Sequence, residues 1–557
     1  MSETSAATLP SPRALAAGLA GAVPVDLAHS PILGILGVVI GAGLVTLAGR
    51  LLTLGLADLK GNVGISFDDG AWISSAFNVA LMFVAVFTVY LGAVIGPRKV
   101  LFCCATLFTI VSFCLPFVHS YSLLLVLLVV AGVTSGTFYP LTLTFALRGI
   151  PLKYLPYTVA LYATSVEAGV NFAPSLYGWE RNYLSWRWMF WTSAVITPLM
   201  MACIYFGIPP APAKAKSGNP PSFEGVFFSS VGFATLFAAL DQGQRLDWWR
   251  SGVFTALMIA GVFFLVCSIV RRMRGANPLV DLPYLYKRNT VLCGILLGLF
   301  RFSLLGTIIV IPTSLATIGL EIGEYAPAVL WTAMSELLLG FIAAYLLARH
   351  ADSRLLLAIG FTCTGLACWL NAHYTVAWAP ENYFRTELLM GVGQALAFVG
   401  LVATILLQGL FSGGLAKPQR ILTFSSFFHT VRLFGGQIGA VVMGHFIAER
   451  EKLHSNLLGL HVQRGEWITD ANLRGLTAAM AGKSSGVGAA AGRAAGIVGG
   501  RLRLEAYALT FGDAFLLITA GCVIALLLIA MLKVEPMDYG ELSQVQGIPE
   551  THGEVKK

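Results

Sequence analysis

Charge is what this 557-residue chain has least of. Asp, Glu, Lys and Arg make up 11% of it, against 57% hydrophobic residues and a mean hydropathy of +0.77. A soluble domain carries about a quarter of its residues charged, so this chain cannot cover a water-facing surface of its own. Its nine cysteines all fall in apolar stretches without metal-ligand spacing, so neither a disulfide framework nor a metal is expected. No phosphate-cradling loop, Ser/His/Asp arrangement or metal cluster rises above the composition, which speaks against an enzyme and against a bound cofactor. The start, "MSETSAATLPSPRALAAGLAGAVPVDLAHS", has one Arg, interrupting prolines and no firm apolar core, so it lacks the form of a signal peptide. Residues 1–30 read as a cytoplasmic tail, with a short surface helix at Arg13–Val23. The net charge of +8 comes from short loops between apolar runs and is no signal for nucleic acid.

What the chain has in abundance is apolar runs of membrane-crossing length. A helix needs about 20 such residues to cross a bilayer. Windows of that kind lie near 32–58, 71–95, 100–118, 122–147, 157–178, 187–208, 225–242, 252–270, 290–314, 326–348, 354–372, 383–410, 421–447 and 506–533. The fold class is therefore an all-α polytopic membrane protein with about fourteen spans, and the lipid bilayer is its first partner. Alternate short loops hold most of the basic residues, among them Arg98, Lys99, Arg148, Lys153, Arg271, Arg272, Arg274, Lys287, Arg288, Arg349 and Arg354. The other loops hold few, such as Lys60, Arg181 and Arg250. The basic side faces the cytoplasm, which puts both termini inside. The long connection Glu449–Arg503 then lies outside. Its first part has helical spacing with Asp470 as an N-cap, while "AGKSSGVGAAAGRAAGIVGG" reads as flexible or weakly helical. A helical hairpin that docks a partner and a plain connector both fit it.

Four local patterns converge on a family. "SWRWMFW" opens the sixth span, "LDQGQRLDWW" follows the seventh, "NPLVDLPYLYKRN" precedes the ninth and "FHTVRLFGGQIGA" lies in the thirteenth. With the span count and the long penultimate outer loop, the chain resembles the fourteen-span drug:proton antiporters of the major facilitator superfamily, the EmrB/QacA type. The resemblance implies two six-helix bundles with two helices inserted between them, and a small organic substrate bound at their interface near the midplane. It also implies alternating access driven by the proton gradient, in a bacterial inner membrane. The corresponding division is a tail 1–30, an N-terminal bundle 31–208, a linker with two inserted helices 209–270 and a cytoplasmic loop 271–289. A C-terminal bundle 290–535 follows, carrying the outer loop 449–503, and then a cytoplasmic tail 536–557. Relatives of this type work with a periplasmic adaptor, for which 449–503 resembles the docking region. A transporter-like sensor that moves nothing is the remaining alternative.

The departures from the family pattern are as informative as the matches. Registered on "GNVG" (Gly61–Gly64), Ala48 stands where the first span usually carries an Asp. Leu128, four residues before Gly132, stands where the fourth span usually carries an Arg. Both members of the usual buried pair are missing, which avoids stranding either charge. The loop "VYLGAVIGPRK" keeps Gly96, Arg98 and Lys99 of the conformational motif but not its Asp. The fifth-span antiporter motif is reduced to Gly169, Pro174 and Gly178.

Ionisable residues inside the spans are functional-site candidates because the bilayer makes them costly. They are Arg50, Glu167, Arg301, Glu336, His429 and Arg432, joined by the buried amides Asn171 and Gln394. Interhelical pairing that only holds the bundles together is the competing role for each. His429 precedes Arg432 by one turn, so the two share a face, and a hydrogen-bonded packing role competes with a proton switch for it. Arg385 and Glu387 are expected to be solvated at a membrane edge. Asp241 and Asp247 are expected to cap or order the outer end of the seventh span. Basic residues outnumber acids in the set, so an anionic or zwitterionic amphipath is the favoured substrate. Arg50 is expected to face a wet interior with acids in reach.

Overall fold

The computed structural model describes residues 30–210, 222–274, 287–411, 418–463, 465–484, 486–534 and 536–544. The proposed helix at Arg13–Val23 and most of the loop 271–289 lie outside the described residues. Thirteen helices among the described residues are long and apolar enough to cross a membrane. In chain order they are α1 (Pro31–Leu54), α2 (Phe67–Val94), α3 (Pro97–Cys114), α4 (Tyr121–Arg148), α6 (Trp188–Gly207), α7 (Phe223–Gly243) and α8 (Gly252–Arg274). They continue as α9 (Arg288–Thr317), α10 (Ile322–Ala348), α11 (Ser353–Asn371), α12 (Pro380–Phe411), α13 (Pro418–Gly459) and α14 (Val487–Ala530). The remaining span, α5 (Leu155–Trp179), is 25 residues long but too polar to join that set. Its polar residues Thr158, Thr164, Glu167 and Asn171 are buried in the protein, where neighbouring helices and not lipid surround them.

Small residues set how closely the helices pack, as expected where lipid removes the hydrophobic drive between them. On α1, Gly34 and Gly37 face Gly207 and Ile204 of α6, while Gly43 faces the Ser165 carbonyl of α5. On α11 and α12, Gly360, Gly393 and Gly400 bring the two backbones together. The inserted pair differ in environment. α7 packs across α2 and α13, and α8 packs on α7. Only 11% of the apolar window of α8 is buried, against 83% for α12, so α8 is the lipid-facing outlier and α12 a central span.

Two helices are interrupted. α4 breaks between Ser135 and Phe138. α9 ends its first segment at Ser303 and passes through a π-turn, Gly306–Val310, into Ile311–Thr317. Pro312 has no N–H to offer the carbonyl of Ile308 four residues earlier. That vacant acceptor matters for the site.

The outer segment is not a loose connector. α13, at 42 residues, and α14, at 44, would each run about 63–66 Å at 1.5 Å per residue, roughly twice the hydrocarbon thickness. Of the Gly/Ala-rich stretch expected to be flexible or weakly helical, residues 487–500 are the first part of α14, which bears out the helical alternative. A further helix, Trp467–Ala481, packs on it; Glu466 is its N-cap and Asp470 falls in its first turn, contrary to the expected cap. Arg450 and His454 of α13 both reach Asp513 of α14 at 2.7 Å, tying the extensions together.

The two halves touch at both faces. On the outer side Gly178 of α5 lies against Gly323 of α10, Ser175 donates to the Ala326 carbonyl at 3.1 Å, and Arg181 bridges Asp58 and Glu321. On the cytoplasmic side Gly92 of α2 meets Leu422 of α13, and Thr144 lies 3.4 Å from Ser425. A short helix, Tyr539–Gln544, packs there against Leu152–Tyr154, with Tyr539 donating to the Ala403 carbonyl at 3.0 Å.

Close packing of α11 on α12 gives a direct test. A methyl at Gly360 would sit 2.2 Å from the Ala397 backbone nitrogen, whereas one at Gly294 meets nothing within 4 Å. Gly360→Ala should cost about 1–3 kcal/mol through overpacking and lower the apparent melting temperature in detergent, while Gly294→Ala should not. Equal melting of the two variants would contradict the packing described.

Candidate functional site

Glu167 sits halfway along α5, and its side chain is 1% exposed. Arg301 of α9 and Arg432 of α13 approach the same oxygen, Oε1, each at 3.9 Å. Neither Glu167 oxygen accepts a hydrogen bond, and Nε of both arginines and Nη1 of Arg301 donate none, among the described residues. The contact is therefore ionic and loose, with bonding capacity left over on all three groups. It joins a carboxylate from the N-terminal half to two cations from the C-terminal half. Gly436 makes room for Arg301, since a Cβ there would stand 2.9 Å from Nη2, so the glycine pair after Arg432 serves the neighbouring arginine. Arg432 stacks over Tyr139 at 4.8 Å, and His429 lies on the same ring at 4.4 Å. His429 shares its face with Arg432 as expected. Its two ring nitrogens have no hydrogen-bond partner among the described residues, so the expected hydrogen-bonded role is not what is seen.

One turn after Glu167, Asn171 opens a second polar group. Its amide donates to Glu336 Oε1 at 2.8 Å and to Gln394 at 2.9 Å, and Gln394 donates to Thr307 at 2.9 Å. Helices α5, α10, α12 and α9 thus meet in one chain of side-chain bonds. Glu336 is fully buried, its Oε2 is unpartnered, and its electrostatic neighbours are Glu167 and Glu387. No basic residue pairs with it among the described residues.

Three expectations need correction. Arg50 meets no carboxylate among the described residues; its Nη2 donates to the Ile308 carbonyl at 2.8 Å, the acceptor left without a donor by Pro312. A backbone group and not an acid offsets its burial, and the bond spans the two halves. Glu387 is not solvated at a membrane edge but 0% exposed, accepting from Thr332 at 2.6 Å, while Arg385 is exposed as expected. Asp241 does not cap α7; it bonds Ser75 of α2 and accepts from Gln437 of α13 at 3.0 Å. Sequence reasoning also passed over Thr307, Thr332 and Tyr139. A signal for Glu387 existed, because it falls seven residues before Gln394, on the same face of α12.

The conformational motif residues divide by place. Arg98 donates to the carbonyls of Ile208 at 2.5 Å and Tyr205 at 3.1 Å, closing the end of α6, and Gly96 takes a positive φ of 97° that favours glycine. Lys99 is exposed. These three act within the N-terminal half. Gly169 packs on Gly43 and Thr46 of α1, Gly178 on Gly323 of α10, and Pro174 lies buried between them in α5. Ala48 and Leu128, which stand where an Asp and an Arg are usual, line one small apolar cavity together with Leu52, Phe77 and Phe108.

The Glu167 cluster makes a stability prediction. Glu167→Gln leaves two guanidinium groups buried without their counter-ion, a loss of order 3–5 kcal/mol for broken buried pairs. Thermal denaturation in detergent should show a lower melting temperature for Glu167→Gln and recovery in Glu167→Gln with Arg432→Met. Failure of the double variant to recover would mean that the cluster is not an ionic unit.

Similarity to known proteins agrees with this architecture. The chain is 23% identical over 421 residues to the multidrug export protein EmrB of Haemophilus influenzae, covering 74% of this chain and 79% of that protein. It is 25% identical over 482 residues to the fatty acid resistance protein FarB of Neisseria gonorrhoeae, covering 85% and 90%. The solved structure of the proton:xylose symporter XylE superposes with a TM-score of 0.53 at 12% identity, covering 92% of this chain and 98% of that one, which speaks to the fold alone. Residues 38–440 match the description Major Facilitator Superfamily. With its helical spans packed as two facing halves around buried charges, the chain belongs to the Major Facilitator Superfamily and is a multi-pass membrane transporter, not an enzyme.

Proposed function

We propose that the protein is a proton-coupled efflux antiporter of the bacterial inner membrane that exports amphipathic organic compounds carrying an anionic group, zwitterions above all. The observation that carries the reading is the Glu167 cluster, where Arg301 and Arg432 hold unused hydrogen-bond donors. A carboxylate or sulfonate on a substrate takes those donors by displacing Glu167. The names of the multidrug export and fatty acid resistance relatives support an amphipath.

The sign of the coupling selects among substrates. Protonating Glu167 would free both guanidinium groups for an anion, so proton and anion would bind together, which is the logic of symport. Antiport requires the two to compete. Glu336 offers that competition, since its free oxygen accepts either a proton or the cationic end of a zwitterion whose anionic end lies on the arginines. Arg50 and the amides Asn171 and Gln394 then shape the site, and rocking of the halves about the Gly169–Gly178 segment exposes it to each side in turn. The carrier runs on the proton gradient without a bound cofactor.

Purified protein in liposomes with an acidic lumen should accumulate ciprofloxacin, an aromatic zwitterion, in preference to ethidium, a cation. Glu336→Gln and Glu167→Gln should each abolish gradient-driven uptake while the protein still inserts. Accumulation of ethidium alone, or full activity of both variants, would refute this assignment.

A further inference from the structure

Glu336 lies near the middle of α10, far from either membrane face, so a proton must reach it. In the C-terminal half a run of hydroxyls, interrupted by one backbone carbonyl, lies between an outer cleft and the two buried carboxyls Glu387 and Glu336. An open cleft of about 260 Å³ on the outer side is lined by Thr317, Gly500, Arg503, Leu504 and Tyr507. From it, Thr317 donates to the Ser314 carbonyl at 2.7 Å, and Tyr374, in the turn after α11, reaches the same carbonyl at 3.4 Å. The Ser314 hydroxyl pairs with the Tyr383 hydroxyl at 3.2 Å. Tyr383 and Glu387 are one turn apart on α12 and share a face. Glu387 accepts from Thr332 at 2.6 Å, and Thr332 and Glu336 are again one turn apart on α10.

Ser314, Tyr383, Thr332, Glu336 and Glu387 are all fully buried, in helices of membrane-spanning length and apolarity. Burying two carboxyl groups without a basic partner is costly. Glu336 also keeps Oε2 free of hydrogen bonds among the described residues, while the Thr307 hydroxyl lies beside Glu387 as a second neighbour to Thr332. The backbone is adapted to the arrangement. A Cβ at Gly391, one turn after Glu387, would fall 1.9 Å from the Ser335 hydroxyl and 2.4 Å from the Thr332 carbonyl, so only glycine lets α10 and α12 close enough for the Thr332–Glu387 bond. The titratable groups facing Glu387 are Glu336 on α10, Cys368 on α11 and Tyr383 on α12. All are acids and none is a fixed cation, so no permanent counter-charge holds Glu387 ionised.

We propose that Glu387 is a proton-relay residue that takes protons from the outer face and delivers them to Glu336 through the Thr332 hydroxyl. This rests on the proton coupling proposed above. In the relay a proton from external water adds to the Glu387 carboxylate. The Thr332 hydroxyl, which donates to Glu387 in this structure, turns toward Glu336, accepts the Glu387 proton on Oγ1 and gives up its own to the Glu336 carboxylate, leaving Glu387 ionised and Glu336 neutral. Atoms and charge balance, and no further reactant is needed. Substrate binding does not involve Glu387, so the relay sets the coupling and leaves the affinity alone.

The test compares two measurements on protein in liposomes with ciprofloxacin as probe: uptake driven by an acidic lumen, and counterflow exchange with equal pH on both sides. Glu387→Gln and Thr332→Val should each reduce gradient-driven uptake by at least about tenfold, the usual weight of a positioned proton-transfer group, and leave counterflow within about twofold. Thr332→Ser and Glu387→Asp should restore the driven uptake. Thr332→Val removes no charge, so it decides the matter even if Glu387→Gln fails to fold. Driven uptake unchanged in Thr332→Val and Glu387→Gln overturns the relay and leaves the antiport reading standing. Parallel loss of counterflow in Thr332→Val without rescue by serine also overturns it, because that marks a packing role. Wild-type uptake indifferent to the gradient refutes proton coupling itself, and the relay with it.

Discussion

The structure is organised by one ionic contact, the carboxylate of Glu167 held between the guanidinium groups of Arg301 and Arg432. Charges at bilayer depth are tolerated only when opposite charges or hydrogen-bonding groups are close. Here the carboxylate belongs to one half of the protein and the cations to the other, so the halves cannot separate at this level without leaving charge uncompensated. Low local dielectric strengthens the attraction, yet the separation of 3.9 Å and the absence of direct hydrogen bonds keep it exchangeable. Gly436, which admits Arg301, and Tyr139, which supports Arg432 and His429, follow from the need to pack that cluster.

Around the cluster the two faces close by different means. The outer face uses the Gly178–Gly323 contact and the partly exposed bridge of Arg181 to Asp58 and Glu321. Ion pairs of that exposure contribute little to stability, and such a seal opens at low cost. The Arg50 bond to Ile308 lies deeper in the same outer half and reports its closure directly. The cytoplasmic face uses apolar contacts and a short helix laid across both halves. Closure at both faces gives an occluded arrangement, in which buried polar groups can exchange partners only as one seal or the other yields.

Ala48 and Leu128, from the first and fourth spans, line one small apolar cavity within the N-terminal half. No charged residue lines that cavity among the described residues. The buried carboxyls Glu336 and Glu387 lie in the C-terminal half, on helices drawn together by Gly391.

Fold class was legible in the sequence because the bilayer imposes it. Length and apolarity alone mark most spans, and the unusual polarity of α5 is itself the mark of a helix surrounded by protein. Glu167, Arg301, Glu336 and Arg432 were legible for the same reason, as charges that lipid would not accept. Their partners were not. Sequence assigned Arg50 an acid, but tertiary structure gave it a carbonyl freed by Pro312 on a distant helix, a match decided by the π-turn in α9. Glu387 looked solvated from its place near a helix start, whereas close approach of α10 buries it. The Gly/Ala-rich outer stretch read as flexible or weakly helical by local propensity, and packing against a neighbouring helix goes with residues 487–500 being the first part of α14. Burial cost is a property of each residue and can be read along the chain, but what offsets that cost is a property of which helices meet, and only the folded arrangement decides it.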